Sequence, residues 1–432
     1  MAGRTHAKRP SRAELRERAL AAASAVGVPA ARDVVVAGGG ASGLVAAIAA
    51  AEAGARTCVL EQDLECGRKI LATGNGRCNF ANEDLDPARY RNGAFVAKVA
   101  GARWLEEILG FFAASGLAWA SEEGRLYPLS RQAASVRSVL LARARRAGVT
   151  LAPARKVTSV APAAGAWKVS FSPAAPGEKG APQAGGITAR ALIVASGGAS
   201  KLAGGLGLPA VAEEPVLCAL ACAPLPFGAG VPDGRTDTCN AALDLQLVDG
   251  RRARAHATLL RAGRELWGED GEVLFRPWGL SGICVFDLSR RAQAGDVVAL
   301  DLTCGLTKGE LGAAAATGTA DGVLDPQLSC ALGAAPGNDA SALLALRRAR
   351  DLRFSVTGRT ETERAQVTRG GLDVAGFCPK TLECATLPGL FACGEALDVD
   401  ADCGGFNLAW AWRSGQVAGA SAAALALSQN RK

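Results

Sequence analysis

The chain has 432 residues, long enough for two or three domains, and its 49% hydrophobic and 21% charged residues are typical of a folded protein. No apolar run reaches the roughly 20 residues that a membrane-spanning helix needs, so no membrane span is predicted. The formal net charge of +7 lies mostly in residues 1–32, with seven Lys or Arg against two Glu, which argues against a folded basic groove for nucleic acid.

The first predicted element is a short surface helix in this basic segment. Ser11 and Glu14 form a capping-box pattern, and Gly27 follows as a possible helix end. The alternative is a weak signal peptide in ALAAASAVGVPAA, but that run is alanine-rich and leads directly into a predicted core strand. We therefore predict a basic N-terminal extension over 1–32 that the folded body does not require.

The stretch DVVVAGGGASGLVAAIAAAEAGARTCVLEQ, residues 33–62, predicts a strand, a glycine turn, a helix and a second strand. This is the βαβ fingerprint of dinucleotide binding. Its glycines allow a tight turn and the close approach of a pyrophosphate, and a final carboxylate accepts a ribose hydroxyl. The residues assigned to the fingerprint are Gly38, Gly40, Ala41, Ser42, Gly43 and Glu61.

The next motif, CGRKILATGNGRCNF at residues 66–80, is hard to explain as scaffold. Gly67, Gly74 and Gly76 make it a poor helix and a poor strand, because glycine loses the most entropy on ordering. Basic, amide and thiol side chains stand between the glycines. The composition therefore favours a segment that follows a bound ligand.

Beyond it, strands are predicted at 149–160, 167–171 and 187–194, and the last one ends on glycines in LIVASGGAS. Residues 205–353 then predict a β-rich insert with short helices, from the strand-like runs VLCALACAPL, AALDLQLVDG, EVLFRP, ICVFDLS and DVVALDL. After the insert, a strand at 390–393, a glycine turn and a long small-residue helix repeat the first pattern. The fold class is therefore α/β, with a Rossmann-like domain built from 33–204 and 354–432 around the inserted domain.

Cysteine and histidine usage limits the chemistry. The thirteen cysteines form no C-x-x-C pair, and only His6 and His256 are present, so no metal site is predicted. Reduced thiols are typical of a cytoplasmic protein, which is the predicted location. With so few histidines we assign no catalytic side chain and expect a cofactor to supply the reactivity.

Four motifs together resemble a known family, the BaiN-like bacterial FAD-dependent or NAD(P)/FAD-dependent oxidoreductases. They are GGGASGLVAAIAAAEAG, GRKILATGNGRCNFAN, LFRPWGLSGICVFDLS and the long run VTRGGLDVAGFCPKTLECATLPGLFACGEALDVDADCGGFNLAWAWRSG. The second and fourth are specific to the family, whereas the first occurs in very many dinucleotide enzymes. The resemblance implies an FAD-binding fold and hydride transfer between the flavin and a small organic substrate, with NAD(P)H as a possible donor.

The resemblance also implies which residues contact FAD. Arg68, Lys69 and Arg77 would offset phosphate charge, Asn75, Gly76 and Asn79 would follow the flavin edge, and Cys78 would be either packing or redox active. Val157 would meet adenine through its backbone, and Ala195 and Gly197 would pass beside the dinucleotide. Toward the C-terminus the implied contacts are Gly394, Glu395, Gly405, Phe406, Asn407 and Leu408, the last of which open a helix aimed at the flavin.

One departure from the family pattern bears on the substrate. Relatives have a Thr-His pair in the segment where this chain has Arg276 and Pro277, followed by Trp278. We therefore expect an FAD-dependent oxidoreductase acting on a small molecule held between the FAD domain and the insert, without transferring a relative's substrate. The alternatives are a flavin-dependent RNA-modifying protein, which the nearly neutral body disfavours, and a non-catalytic FAD-binding sensor.

Overall fold

The structure is a computed structural model that describes residues 11–175, 177–178, 181–198, 201–228 and 241–429. Residues 1–10 of the predicted basic extension, with Arg4, Lys8 and Arg9, lie outside these ranges. Within them, no helix is both long and apolar enough to cross a membrane. The chain divides into unit 1 (Met1–Glu214 with Thr368–Lys432) and unit 2 (Pro215–Val367).

Helices and strands are interspersed through the first half of the chain, and the longest helix lies near the C-terminus. The helices are α1 (Arg12–Ser24), α2 (Ala41–Glu52), α3 (Gly93–Ala100), α4 (Trp104–Ala114), α5 (Ala133–Arg146), α6 (Lys201–Gly204), α7 (Ile283–Ser289), α8 (Lys308–Ala315), α9 (Pro326–Ala331), α10 (Asp339–Ala349) and α11 (Phe406–Ser428). The strands before the insert are β1 (Ala31–Ala37), β2 (Thr57–Leu60), β3 (Ala81–Asn82), β4 (Trp119–Glu122), β5 (Arg125–Pro128), β6 (Thr150–Ala152), β7 (Arg155–Ala163), β8 (Ala166–Pro173) and β9 (Gly185–Val194). The later strands are β10 (Ala210–Val216), β11 (Ala219–Pro224), β12 (Arg252–Arg261), β13 (Arg264–Arg276), β14 (Gly279–Ser281), β15 (Val297–Asp301), β16 (Leu352–Thr360), β17 (Val367–Leu372) and β18 (Leu390–Ala392).

Unit 1 contains a sheet with strand order β6-β2-β1-β9-β8-β7, to which β18 adds by pairing with β9. Strand β1 runs parallel to β2 and β9, so that Val34 lies opposite Thr57 and Val36 opposite Ile193. The β1 valines are fully buried, as expected for a parallel strand covered on both faces. The predicted strand, turn, helix and second strand are confirmed at β1, α2 and β2.

The C-terminal part of the chain completes the same unit. Strand β18 is parallel to β9, and α11 packs against α2. At this helix contact a Cβ atom on Gly415 would lie 2.6 Å from the Ser42 carbonyl oxygen, and one on Gly419 would lie 2.2 Å from the Ala46 carbonyl oxygen. The small residues of α11 thus let the two helix backbones approach closely. The predicted α/β fold built from both ends of the chain is confirmed.

Unit 2 is built on a closed barrel with strand order β11-β14-β13-β12-β15-β16, joined by α7 to α10. The predicted β-rich insert with short helices is confirmed. Strand β16 completes the barrel through antiparallel pairing with both β11 and β15. The domain boundaries inferred from the sequence, at 204/205 and 353/354, stay a proposal about which segments fold as domains.

The strand prediction is wrong for two of the runs in the insert. The run ICVFDLS is helix α7, and Cys284, Val285 and Leu288 are its buried apolar residues at helical spacing. A short apolar run suits a strand or a helix equally well, and its environment decides between them. Residues 241–244 are irregular and 245–250 form turns, although Leu243 and Leu245 are buried against the barrel core. The alternation of apolar and polar residues here reflects the packing of single side chains, and no strand pairing accompanies it in this segment.

The described part of the N-terminal extension packs into unit 1. The capping box is confirmed, because the Glu14 N–H donates to Ser11 Oγ at 3.2 Å and the Glu14 carboxylate accepts the Ser11 N–H at 2.7 Å. Ala23 of α1 is buried in a small cluster with Ala154. The buried Arg155 guanidinium donates to the carbonyl oxygens of Ala23 and Val26 at 3.1 and 3.0 Å. Helix α1 is therefore part of the packing of unit 1.

Candidate cofactor site

The glycines of the turn between β1 and α2 have two different roles: two allow close backbone packing, and one leaves open space. A Cβ atom at Gly38 would lie 2.3 Å from the Ala195 carbonyl oxygen, and one at Gly43 would lie 2.0 Å from the Gly38 carbonyl oxygen. These two glycines let main chains approach each other. At Gly40, the N-cap of α2, no atom of the described residues lies within 4 Å of the Cβ position. This open space before a helix N-terminus suits an anionic pyrophosphate.

The first turn of α2 meets the C-terminal segment. Ala41 and Ser42 begin this helix, whose first N–H groups have no intrahelical acceptor. The Ser42 hydroxyl oxygen lies 2.5 Å from the Cβ position of Gly394, which has a φ of +64°. The Gly394 N–H donates to Ser414 Oγ at 2.9 Å, and its carbonyl oxygen accepts the Trp410 indole N–H at 3.1 Å. Gly394 is thereby held between α2 and α11.

Glu61 follows β2 and is almost completely buried. Its Oε2 accepts the Gly39 N–H at 2.5 Å, and its Oε1 accepts the Asp63 N–H at 2.7 Å. Burial raises the pKa of Glu61, and the two N–H donors oppose that rise. A carboxylate offers about four acceptor positions, so the side chain can still accept a ribose hydroxyl.

The glycine-rich motif forms a kinked 3-10 segment, Arg68–Gly76. Asn75 has a φ of +53°, and the next glycine, Gly76, has a φ of +83°, a region that non-glycine residues rarely adopt. The Arg68 guanidinium lies 3.4 Å from the Asp63 carboxylate. Asn75, which the resemblance assigns to the flavin edge, is exposed.

Arg77, Cys78 and Asn79 end the motif in three different environments. The Arg77 guanidinium lies 5.3 Å from the centre of the Tyr127 ring. Burial raises the pKa of the Cys78 thiol to about 11, so this fully buried side chain is protonated at neutral pH, which favours packing over redox chemistry. Asn79 Oδ1 is buried with no hydrogen-bond donor among the described residues.

A basic and an acidic side chain face the turn after β9. Lys69 Nζ lies 3.3 Å, and Glu395 Oε2 3.9 Å, from the Cβ position of Gly197, which has a φ of +73°. Burial raises the pKa of Glu395, and the nearby Lys69 ammonium opposes the rise. In the same turn the Ala195 N–H donates to the Ala37 carbonyl oxygen at 2.9 Å, and Ser196 Oγ is buried without a partner among the described residues.

The second glycine turn precedes α11. Gly405 has a φ of +96°, and a Cβ atom there would lie 2.5 Å from the Ala81 carbonyl oxygen and 2.8 Å from Asn79 Oδ1. Phe406, the first residue of α11, is buried, and its carbonyl oxygen accepts the Tyr90 hydroxyl at 2.8 Å. The structure therefore brings the predicted residues Asn79 and Gly405 together.

Asn407 and Leu408 are the next two residues of α11. The Asn407 side chain accepts the Ala401 N–H and donates to the Ala401 carbonyl oxygen, both at 2.8 Å. Leu408 is partly buried against the core. The first turn of α11 can therefore offer a ligand its backbone N–H groups, because the Asn407 and Phe406 side chains are engaged within the protein.

Val157 lies farther along, in β7. Its strand begins at Arg155, whose N–H donates to the Glu61 carbonyl oxygen at 2.7 Å. Val157 thus lies two residues after the one that bonds the backbone of Glu61. Its contact with adenine stays a prediction.

Sequence reasoning missed a set of charged residues beside the second glycine turn. Asp398, Asp400 and Asp402 are each at most 3% exposed, and each lies within 4.0 Å of an arginine. The signal present in the sequence is three alternating aspartates that only Cys403 separates from the two glycines. A run of acidic residues ordinarily indicates a solvated loop, so the sequence pattern by itself does not predict burial here.

These features fit FAD. The open position at Gly40 and the free N–H groups of α2 suit the pyrophosphate, and Glu61 suits the adenosine ribose. The unpartnered buried oxygens of Asn79 and Ser196 are acceptors that a polar ligand would satisfy. FAD, when bound, supplies hydride transfer at its ring, which this set of side chains does not provide.

Comparison with known proteins identifies the family. The profile described as HI0933-like protein Rossmann domain matches residues 32–421. The 3-dehydro-bile acid delta(4,6)-reductase of Clostridium scindens is 32% identical over 421 residues, which cover 89% of this chain and 98% of that protein. The ribosomal RNA dihydrouridine synthase of Escherichia coli is 26% identical over 88% of this chain and 96% of its own length. That of Haemophilus influenzae is 27% identical over 91% and 98%.

Solved structures show weaker similarity. The 3-ketosteroid-delta4-(5alpha)-dehydrogenase of Rhodococcus jostii RHA1 matches with a TM-score of 0.46 and 16% identity over 93% of this chain and 99% of that one. An open conformation of a flavocytochrome c3 fumarate reductase matches with a TM-score of 0.46 and 13% identity over 99% and 83%. The family assignment depends on the sequence matches, and by them the chain belongs to the HI0933-like family and is a flavoprotein oxidoreductase.

Proposed function

We propose that this protein binds FAD in unit 1 and reduces a carbon–carbon double bond conjugated with a carbonyl group, with NAD(P)H as the electron donor. In this reaction a hydride adds to the β-carbon and a proton adds to the α-carbon, while NAD(P)H is oxidised to NAD(P)⁺. The chain has no second G-x-G-x-x-G motif. NAD(P)H would therefore bind transiently, without a Rossmann domain of its own.

The choice of reaction rests on one feature that the names of the relatives share: each describes the reduction of a double bond conjugated with a carbonyl group. A delta(4,6)-reductase of 3-dehydro-bile acids acts on double bonds that are conjugated with a ketone. A dihydrouridine synthase saturates the ring double bond of uridine, which is conjugated with a ring carbonyl. Similarity over most of both chains to these reductases supports saturation of an activated double bond as the shared chemistry.

The cofactor contacts belong to the proposal. Gly40 and the first turn of α2 would meet the pyrophosphate, Glu61 the ribose, and Asn79 the flavin edge. Lys69 would offset phosphate charge, because its ammonium is exposed and lies beside the turn at Gly197. Glu395 would accept a ribityl hydroxyl.

We propose a small organic substrate in place of RNA. Residues 215–367 contain sixteen Lys or Arg against eighteen Asp or Glu, a net charge of −2. A protein that holds a polyanion neutralises its phosphates with clustered cations, and this unit has an acidic excess. Arg276 pairs with Asp249 at 3.1 Å, so this cation already has a carboxylate partner.

Anaerobic stopped-flow spectroscopy tests the function. We expect NADH or NADPH to bleach the flavin absorption and a conjugated cyclic enone to restore it. A steroidal enone and a uridine-containing ribosomal RNA fragment serve as the two acceptors. Reoxidation by the RNA alone, with a steep dependence on salt, would favour the RNA-modifying alternative. A bound flavin that neither nucleotide reduces would contradict the proposal.

A further inference from the structure

Three aspartates alternate in the loop at residues 397–403, called here the aspartate loop, which leads directly into the Gly404–Gly405 turn. Asp398, Asp400 and Asp402 are 3%, 1% and 1% exposed, so all three carboxylates are buried. Taking a carboxylate out of water is strongly unfavourable unless charged or polar partners compensate for it. The partners of these three residues therefore indicate what the loop is for.

Asp398 has the most complete set of partners. Arg91 Nε donates to both carboxylate oxygens, at 2.7 and 2.9 Å, and Asn92 Nδ2 donates to Oδ2 at 3.2 Å. The Gly370 N–H donates to Oδ1 at 3.2 Å. Three separate segments of unit 1 thus meet at one buried carboxylate.

The other two aspartates repeat the pairing with arginines that are distant in sequence. Asp400 lies 3.6 Å from Arg369 Nε, and Asp402 lies 3.9 Å from Arg89 Nη1. A backbone hydrogen bond also holds the loop, since the Arg91 N–H donates to the Asp400 carbonyl oxygen at 2.8 Å. The loop is consequently fixed along its length and at both ends.

The aspartate loop is coupled to the first turn of α11. Asn407 bonds both the N–H and the carbonyl oxygen of Ala401 from within that turn. The Arg89 guanidinium, which pairs with the loop, also lies 5.1 Å from the centre of the Phe406 ring. On the other side of the turn, Asn82 Nδ2 donates to the Gly404 carbonyl oxygen at 2.9 Å.

We infer that the three aspartates and their arginines are positioning residues that fix the Gly404–Gly405 turn, and thereby the N-terminal N–H groups of α11, at the flavin. The role of the flavin rests on the proposed function. Glycines at φ of +122° and +96° have wide conformational freedom, so this turn needs support from outside itself. Buried ion pairs add little net stability but are directional, which suits them to setting a geometry.

The test compares two buried aspartates with the same kind of partner. Asp398→Asn removes one charge and keeps the shape, and Asp296→Asn in unit 2 is the matched control. Asp296 is also 3% exposed, and Arg261 binds its two oxygens at 2.8 Å each. Two readouts are measured on the full chain: the FAD dissociation constant of the apoprotein, and amide hydrogen exchange of peptides spanning residues 404–412.

We expect Asp398→Asn to raise the FAD dissociation constant about tenfold or more, and to speed hydrogen exchange at the start of α11. Asp296→Asn should leave both readouts within about twofold of the wild type, even where it lowers the melting temperature. Equal effects of the two variants on both readouts would overturn the inference. If the wild type binds no FAD, the proposed function fails, while hydrogen exchange still decides whether the aspartates fix the turn.

A second pair of variants covers the case in which Asp398→Asn does not fold. Arg91→Lys retains the charge but loses the Nε–H that donates to both Asp398 oxygens, and Arg261→Lys is its control in unit 2. Arg91→Lys should show a smaller change than Arg91→Gln in both readouts. Exchange rates at residues 404–412 that are identical in the wild type, Arg91→Lys and Arg91→Gln would also overturn the inference.

Discussion

The two glycine turns of the candidate FAD site are held in different ways. Gly38 and Gly43 make close main-chain contacts, where added Cβ atoms would lie 2.3 Å from the Ala195 carbonyl oxygen and 2.0 Å from the Gly38 carbonyl oxygen. The Gly404–Gly405 turn is bordered by charged side chains from distant segments, including Arg89. The glycine pattern of the first turn lies within six residues, and its distant contact is with the main chain of Ala195, whereas the second turn has charged side chains from several distant segments around it.

The largest expected effect breaks the first turn. Gly43→Val should lower the free energy of unfolding by about 3 kcal/mol, because its side chain would collide with the Gly38 backbone. Gly40→Val is the matched control, since the Cβ position there is open among the described residues. It should change stability by less than about 1 kcal/mol but weaken FAD binding about tenfold or more. Urea unfolding and FAD titration measure the two effects, and equal stability losses would contradict the assigned roles.

A second prediction concerns the contribution of the N-terminal segment to the stability of unit 1. Deleting residues 1–26 removes two carbonyl acceptors of the buried Arg155 guanidinium, at Ala23 and Val26. We expect a loss of about 2 kcal/mol in the free energy of unfolding, because a buried charged donor would keep only the Pro153 carbonyl oxygen, at 2.9 Å, as an acceptor. This replaces the expectation that the extension is dispensable.

Urea unfolding of the truncated protein measures this loss. Leu15→Ala is the control, since Leu15 is 52% exposed on α1 and its truncation should cost less than about 0.5 kcal/mol. A truncated chain as stable as the full one would show that α1 contributes nothing.

A smaller effect sharpens the role of the second turn. A carboxylate cannot be introduced at Gly405 without strain, because its Cβ would lie 2.5 Å from the Ala81 carbonyl oxygen. Leu408, the third residue of α11, accepts one more readily. Compared with Leu408→Gln, Leu408→Glu should lower the flavin midpoint potential by about 20 mV, the equivalent of about 1 kcal/mol of helix-end interaction.

Spectroelectrochemical titration at equal FAD occupancy measures that difference. The two substitutions match in size and polarity, so packing losses cancel. Equal potentials, or a higher one for the carboxylate, would remove the start of α11 from the flavin.

The smallest effect lies at the base of β1, the strand that leads to the first turn. The hydrogen bond from Arg56 lowers the pKa of the buried Asp33 below its ordinary value of 3.8. A lowered pKa means that the contribution to stability is present above pH 3.8 and is lost as the pH falls through the folded-state pKa. Unfolding of Asp33→Asn should therefore depend less on pH than the wild type in the acid range. Parallel acid dependence in both proteins would contradict this.

The sequence by itself determined the fold of unit 1 at its most local elements. Val34 to Val36 and the glycines after them predicted β1, its turn and α2, because strand, turn and helix each have their own residue pattern within a few positions. The family motifs extended this to FAD as the cofactor. The return of the chain at β18 and α11 was predicted in the same way.

Tertiary structure alone decided the rest. The run ICVFDLS fits a strand or a helix, and its surroundings in unit 2 made it α7. No sequence pattern singled out Asp398, Asp400 and Asp402, and they are buried with arginines from distant segments as partners. Burial and ion pairing depend on neighbours that are far away in the chain, and a sequence pattern carries no record of those distances.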